Sequence, residues 1–150
     1  ECINLGFSGN ALLDYEIASV IASVKDASVI VLDFVPNATI EHMKERFFTF
    51  YQTIREACPS TPILLVEHAP FTNARFDKEM ADLIVRKNAL LNDYYKQLKK
   101  SGDKRVYYFS SEGMIGYDGE ATVDGYHYTD LGFMRYAEKL YPVLKKLVDK

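Results

Sequence analysis

The sequence contains no tryptophan and only two cysteines, Cys2 and Cys58, among its 150 residues. Two cysteines are too few for a disulfide framework, and their spacing matches no metal-binding motif. The three histidines stand far apart, at positions 42, 68 and 127. Because zinc sites need clustered histidine or cysteine ligands, we expect neither a metal nor another cofactor.

Long apolar runs and clusters of positive charge are missing as well. The longest apolar stretches, such as "ASVIVLDF" at 27–34, are far too short to cross a bilayer. The 18 basic residues are dispersed among 21 acidic ones, which disfavours a nucleic-acid partner. No signal peptide opens the chain, yet it begins directly in an apolar stretch without a methionine. We interpret this start as a mature or truncated end that leaves the compartment undetermined.

The composition that remains is that of a globular protein. Hydrophobic residues make up 48% of the chain and charged residues 26%. A chain of this length buries roughly two-thirds of its unfolded surface. We therefore expect a single domain over residues 1–150.

Apolar stretches typical of strands alternate along the chain with segments of helical periodicity. The predicted strands are 2–7, 27–34, 62–68 and 105–110. The predicted helices are 13–24, 39–57, 77–100 and 130–148. Thr39 and Asp130 are the expected N-caps of two helices, and Pro142 is expected to bend or interrupt the last one.

This order predicts a three-layer α/β/α domain with a mainly parallel, flavodoxin-like sheet. In such sheets ligands bind beyond the carboxyl ends of the strands. The stretches "GFSGN", "DFVPN", "EHAPFTN" and "DGYH" each follow a predicted strand. We expect all four at one edge of the sheet.

Asp124 precedes His127 by three residues in a loop, a spacing that suits a base and the carboxylate that orients it. Each candidate also has a common structural explanation. Gly9 and Asn37 are typical turn residues, Asp124 forms Asx turns, and a histidine is more often a surface residue than a base. His68 is either a polar loop residue or part of a substrate cleft.

Together these stretches resemble the SGNH (GDSL-type) hydrolase family of esterases and lipases. "INLGFSGN" resembles its second block, which implies that the Gly9 N–H donates to an oxyanion hole. "VLDFVPN" resembles the third block and implies an oxyanion donor at Asn37. "DGYH" resembles the last block, which implies a catalytic base at His127 oriented by Asp124. The resemblance covers nearly all of the chain.

The resemblance also implies a serine nucleophile in a first block, which we expect upstream of Glu1. Ser8 lies beside Gly9, but "GFSGN" is not the GxSxG nucleophile elbow. The strand carrying the serine is expected between residues 2–7 and 27–34, so the sheet lacks its first strand and the chain alone is expected to be inactive. An upstream segment, a shift of residues 2–7 or a second copy of the chain is expected to complete the sheet.

The resemblance leads us to expect a serine esterase that cleaves a small-molecule or carbohydrate ester, with an acetylated carbohydrate as one candidate. The phrases "INLGFSGN", "PILLVEH" and "ATVDGYHYTDLGF" resemble extracytoplasmic bacterial members, so a periplasmic or secreted location is expected. The alternative is a catalytically silent α/β domain that binds a carbohydrate or a protein partner. A nucleotide or flavin binder is less favoured, because no glycine-rich phosphate loop leads into a helix.

Overall fold

The computed structural model describes residues 1–149, which form three parallel strands and four α-helices. The strands are β1 (Ile30–Leu32), β2 (Ile63–Val66) and β3 (Val106–Phe109). The helices are α1 (Tyr15–Ser23), α2 (Ile40–Ala57), α3 (Lys78–Lys100) and α4 (Asp130–Val148), with a 3-10 turn at Thr72–Arg75. Among the described residues, every helix is too short or too polar to span a bilayer.

The central strand β2 determines the layered architecture. It pairs in parallel with β1 on one side and β3 on the other. All four of its residues are fully buried, and their side chains alternate between two hydrophobic clusters. Ile63 and Leu65 face one cluster, whereas Leu64 and Val66 face the other. A sheet covered on both faces confirms the predicted three-layer α/β/α fold.

The two faces are covered by different helices. Residues of α1, α2 and α3 form the first cluster, in which the rings of Phe47 and Tyr94 stack with centroids 4.6 Å apart. Helix α4 covers the second face, where Leu147 packs with Met114 and Ile115 of the loop after β3. This loop is therefore anchored to the core below it.

The helix ends follow the capping rules. Thr39 caps α2 as predicted: its Oγ1 accepts a hydrogen bond from the His42 N–H at 3.1 Å. The prediction for α4 is wrong by one residue, since Thr129 rather than Asp130 is the N-cap. The Thr129 hydroxyl accepts from the Gly132 N–H at 3.1 Å, the bond that an N-cap side chain makes to the third helical residue.

Pro142 lies inside α4 but does not interrupt it, because the helix runs continuously from Asp130 to Val148. A proline removes one backbone hydrogen bond from a helix interior. The two residues that follow it, Val143 and Leu144, pack against the second cluster and hold the helix in place.

The strand predicted at residues 2–7 is not formed. These residues have no regular structure, and most are exposed. Within the described residues β1 pairs with β2 alone, so residues 2–7 have not moved onto its open side. A strand needs a neighbour for its backbone N–H and C=O groups, and the described part of the chain places no strand beside this segment.

Candidate active site

Asp124 and His127 form a hydrogen-bonded dyad in the loop after β3. The His127 Nδ1 lies 2.7 Å from the Asp124 Oδ2. The other carboxylate oxygen, Oδ1, accepts from the backbone N–H groups of Tyr126 at 3.0 Å and His127 at 2.9 Å. One carboxylate thus holds both the backbone and the ring of the histidine.

The surroundings keep the carboxylate ionised and one ring nitrogen free. Hydrogen bonds from the His127 N–H, the His127 ring and the Tyr126 N–H hold the pKa of Asp124 well below its usual range. The His127 side chain is 83% exposed, and within the described residues Nε2 has no hydrogen-bond partner. The ring is therefore oriented through Nδ1 and open to a substrate at Nε2.

The loop after β2 supports the dyad from one side. Gly125 has a φ of 92°, and the Asn73 side chain occupies the space that a Cβ at this position would need. The Asn73 N–H also donates to the Gly125 carbonyl at 3.4 Å. The rings of Phe71 and Tyr126 meet edge to face with centroids 5.1 Å apart. These contacts fix the backbone between the two members of the dyad.

Asn37 lies in the turn that follows β1, at the same carboxyl edge of the sheet. The Phe34 carbonyl accepts from the N–H groups of Asn37 at 3.0 Å and Ala38 at 2.9 Å, which closes the turn. The Asn37 side chain is exposed, and in residues 1–149 its amide makes no hydrogen bond. A free amide on a fixed turn can donate to a ligand.

Within residues 1–149, Gly9 is not linked by hydrogen bonds to the other candidates. It has a φ of 68° in an exposed turn closed by the Asn10 N–H, which donates to the Phe7 carbonyl at 2.9 Å. Ser8 in the same turn is also exposed. Among the described residues no hydrogen bond joins this turn to Asn37 or to the dyad.

A pair of side chains ties the end of β1 to the helix that follows the dyad. The Tyr136 hydroxyl of α4 donates to the Asp33 Oδ2 at 2.6 Å. Burial raises the pKa of the Asp33 carboxyl, and the hydrogen bond from Tyr136 opposes that rise. The strand end that precedes Asn37 and the helix that begins after His127 are therefore linked directly.

His68 lies at the predicted edge but is only 2% exposed. Asn88 of α3 binds its backbone on both sides, accepting from the His68 N–H at 2.8 Å and donating to its carbonyl at 2.9 Å. Burial lowers the pKa of His68 to about 4, partly opposed by a hydrogen bond to the Ala69 carbonyl and reinforced by the charge of Lys87. His68 is thus a neutral, buried group below the site.

Lys87 was not identified from the sequence as a functional residue, although its position on the apolar stripe of α3 is unusual for a lysine. It is buried in α3, in register with the core residues Ile84 and Leu91. Its Nζ donates to the carbonyl of Val35 at 3.0 Å and lies 3.3 Å from that of Pro36. A lysine on the apolar stripe of a helix indicates a buried polar partner, but the sequence does not reveal which one.

The chain can be compared with known proteins. The profile of the GDSL-like lipase/acylhydrolase family matches residues 1–145. A crystal structure of a protein described as a GDSL-like lipase, from Bacteroides ovatus, is 32% identical with a TM-score of 0.92, over 98% of this chain and 43% of that one. The salicylyl-acyltransferase SsfX3 from a tetracycline biosynthetic pathway is 21% identical with a TM-score of 0.67, over 93% of this chain and 44% of that one.

No curated protein matches the chain significantly. The chain spans less than half the length of both solved structures. The family profile nevertheless covers almost the whole sequence, and the structure has the fold of both neighbours. The chain belongs to the GDSL-like lipase/acylhydrolase family.

Proposed function

We propose that this chain forms the part of a serine acyl-ester hydrolase that carries the catalytic base and the oxyanion hole. The observation that carries the proposal is the dyad, in which Asp124 engages the Nδ1 of His127 while Nε2 stays exposed. A histidine oriented through one nitrogen and free at the other is the arrangement that general-base catalysis requires.

In the proposed reaction the His127 Nε2 takes the proton of the nucleophilic hydroxyl as this attacks the ester carbonyl carbon. The ionised Asp124 keeps the Nδ1 proton in place and stabilises the positive ring that forms. His127 then returns the proton to the leaving alcohol. The same nitrogen then deprotonates a water molecule, which attacks the acyl carbon. The bond between the acyl group and the nucleophile breaks, the acid leaves, and Nε2 returns the proton to the oxygen of the nucleophile.

The negative charge that develops on the carbonyl oxygen needs fixed donors. We assign this role to the free side-chain amide of Asn37 and the N–H of Gly9. Donors of this kind each lower the barrier by about 3–4 kcal/mol. Among the described residues no hydrogen bond joins the Gly9 turn to Asn37, so we expect a further strand beside β1 to order that turn.

The nucleophile is proposed to come from outside these 150 residues. Ser8 is the serine nearest to a proposed oxyanion donor, but it lies in an exposed turn with no described hydrogen bond to His127. A strand added beside β1 would bring its carboxyl end to the edge where Asn37 and His127 lie.

Hydrolysis of p-nitrophenyl acetate tests the proposal. The 150-residue chain should hydrolyse it no faster than its His127→Ala variant, because the proposed nucleophile lies outside these residues. A longer protein that also contains the proposed upstream strand and its serine should be active, and His127→Ala should lower its kcat by about 1,000-fold or more. Asn37→Ala should lower kcat by about 100-fold or more.

Ser8→Ala is the matched control and should leave the activity of the longer protein close to that of the wild type. Rapid turnover by the 150-residue chain that Ser8→Ala abolishes would place the nucleophile at Ser8 instead. Binding of a sugar with no turnover in the longer protein would support the silent binding domain.

For the substrate we propose an acetylated carbohydrate, and for the location an extracytoplasmic compartment. Tyr126, next to the base, is 38% exposed and offers an aromatic surface on which a sugar ring could pack. Acetate release from acetylated oligosaccharides should therefore exceed release from acetate esters of simple alcohols. Equal kcat/KM for both substrates would argue against a sugar site.

A further inference from the structure

Lys87 places a positive charge inside the protein at the carboxyl edge of the sheet. The residue is only 6% exposed, although it is a lysine. Its Nζ donates to the Val35 carbonyl at 3.0 Å and to the Pro36 carbonyl at 3.3 Å. Within the described residues it forms no ion pair with a carboxylate. Its whole hydrogen bonding is thus directed at one turn.

A buried lysine at position 87 destabilises the folded chain relative to an apolar residue at the same position. Lys87 lies between Ile84 and Leu91 on the buried stripe of α3, where leucine or methionine would pack without a charge. Removing an ammonium from water is unfavourable unless it gains strong hydrogen bonds, and burial lowers the pKa of Lys87 accordingly. Lys87 donates to two carbonyls that, among the described residues, accept no backbone hydrogen bond.

The two carbonyls belong to the residues immediately before Asn37. The turn is closed from within by the Phe34 carbonyl, which accepts from the Asn37 and Ala38 N–H groups. Lys87 holds the same turn from outside, across to α3. The backbone of Asn37 is therefore fixed from two directions, while its side-chain amide stays free.

We propose that Lys87 is a positioning residue that sets the place of Asn37 as an oxyanion donor. The proposal rests on the proposed function, because it gives Lys87 a part in catalysis only through Asn37. An oxyanion donor must lie about 2.7–3.1 Å from the developing charge, so a small movement of the turn removes most of its effect. Substrate binding, which depends on other contacts, should be affected less.

The test compares Lys87→Met with Asn37→Ala and with the double variant, in the longer active protein with p-nitrophenyl acetate. Methionine keeps the length and the apolar part of the side chain but cannot donate. We expect Lys87→Met to lower kcat at least about tenfold with KM changed less than about twofold. In the Asn37→Ala background the same substitution should change kcat less than about twofold, since the donor is already lost.

Two controls separate positioning from general damage. Lys96→Met replaces an exposed lysine of the same helix and should leave kcat and stability unchanged. Lys87→Gln retains one donor group and should recover part of the lost kcat. Backbone hydrogen exchange at Asn37 and Ala38 should be faster in Lys87→Met, while exchange in β2 stays slow. This exchange measurement also applies if the methionine variant is too weakly folded for kinetics.

The outcomes distinguish this inference from the proposed function. If Asn37→Ala leaves kcat unchanged, Asn37 is not an oxyanion donor. The positioning role of Lys87 is then wrong as well, because it acts only through Asn37. If Asn37→Ala is impaired but Lys87→Met is not, only the positioning role is overturned. Equal losses from Lys87→Met in both backgrounds would also overturn it, because they would show that Lys87 acts independently of Asn37.

Discussion

At the scale of single residues, His68 shows how burial fixes a protonation state. Its ring is 2% exposed and packs edge to face on Phe71, with centroids 4.4 Å apart. Its Nδ1–H donates to the Ala69 carbonyl, so the neutral tautomer is held. The ring of Phe71 also contacts Tyr126, and a charged His68 would therefore disturb the support of the dyad.

We expect the stability of the chain to fall between pH 6.5 and pH 4 because of His68. Its pKa is about 4 when folded and 6.5 when unperturbed, so within this window the unfolded chain binds more protons than the folded chain. Stability then decreases as the pH is lowered. Urea denaturation at several pH values measures the effect, and His68→Gln should remove this part of the pH dependence. An NMR titration midpoint for His68 near 6.5 would contradict it.

The sequence predicted some of these residues and not others for a physical reason. Asp124 and His127 are three residues apart, so their spacing alone nearly determines their contact. Lys87 meets Val35 across 52 residues of chain, and Asn88 meets His68 across 20. Such contacts depend on how α3 packs on the sheet, which local patterns do not specify.

At the scale of elements, the first turn of α4 packs tightly on the loop that carries the dyad. Gly132 is buried, and a Cβ at this position would meet the Ala121 carbonyl. The Thr129 N–H donates to the same carbonyl at 3.0 Å. The helix start and residues 121–129 therefore form one rigid corner.

Gly132→Ala should destabilise the protein although alanine is the better helix former. The exchange favours a helix by up to about 1 kcal/mol. The added methyl would have to displace backbone rather than a flexible side chain, and overpacking of this kind costs about 1–3 kcal/mol. Chemical denaturation measures the net change. Ala137→Gly, at an exposed position of α4, gives the helical preference alone, and a Gly132→Ala variant more stable than wild type would contradict the close packing.

Helices were predicted well, because the residues that start and stop them lie next to them in the sequence. The helix predicted at 39–57 has its predicted cap, Thr39, and the helix predicted at 77–100 starts after Asp77, whose side chain caps it. A cap and its helix are neighbours in sequence, so such boundaries can be predicted locally. The strand predicted at 2–7 is absent, because a strand is stable only beside a partner. The apolar pattern of residues 2–7 is compatible with a strand, but it does not show whether a partner strand is present beside them.

At the scale of the whole molecule, β1 leaves one edge of the sheet open within the described residues. The Ile30 N–H donates to the Pro62 carbonyl at 2.9 Å. In this register the backbone N–H and C=O groups of Ile30 and Leu32 point toward β2. Val31 lies between Ile30 and Leu32, so its backbone N–H and C=O point away from β2. The residue is 38% exposed. A bare edge of this kind invites pairing with a further strand.

Hydrogen exchange at β1 tests whether a further strand covers this edge. In the 150-residue chain the Val31 amide should exchange much faster than the Ile30 amide, which is already bonded. In the longer protein the Val31 amide should become as protected as that of Ile30, because an added strand supplies its partner. Continued fast exchange at Val31 in an active longer protein would place the additional strand elsewhere.

Asp124 makes its described side-chain hydrogen bonds within residues 124–127. Its two oxygens bind the backbone and the ring of a histidine only three residues away, so the dyad is assembled from a single short loop. The bonds within the dyad are local, whereas the 70–75 segment and the start of α4 hold the loop that carries it. Substitutions elsewhere in the chain should therefore move Asp124 and His127 together. The direction of the His127 Nε2 would change, while the bond between Asp124 and Nδ1 would be kept.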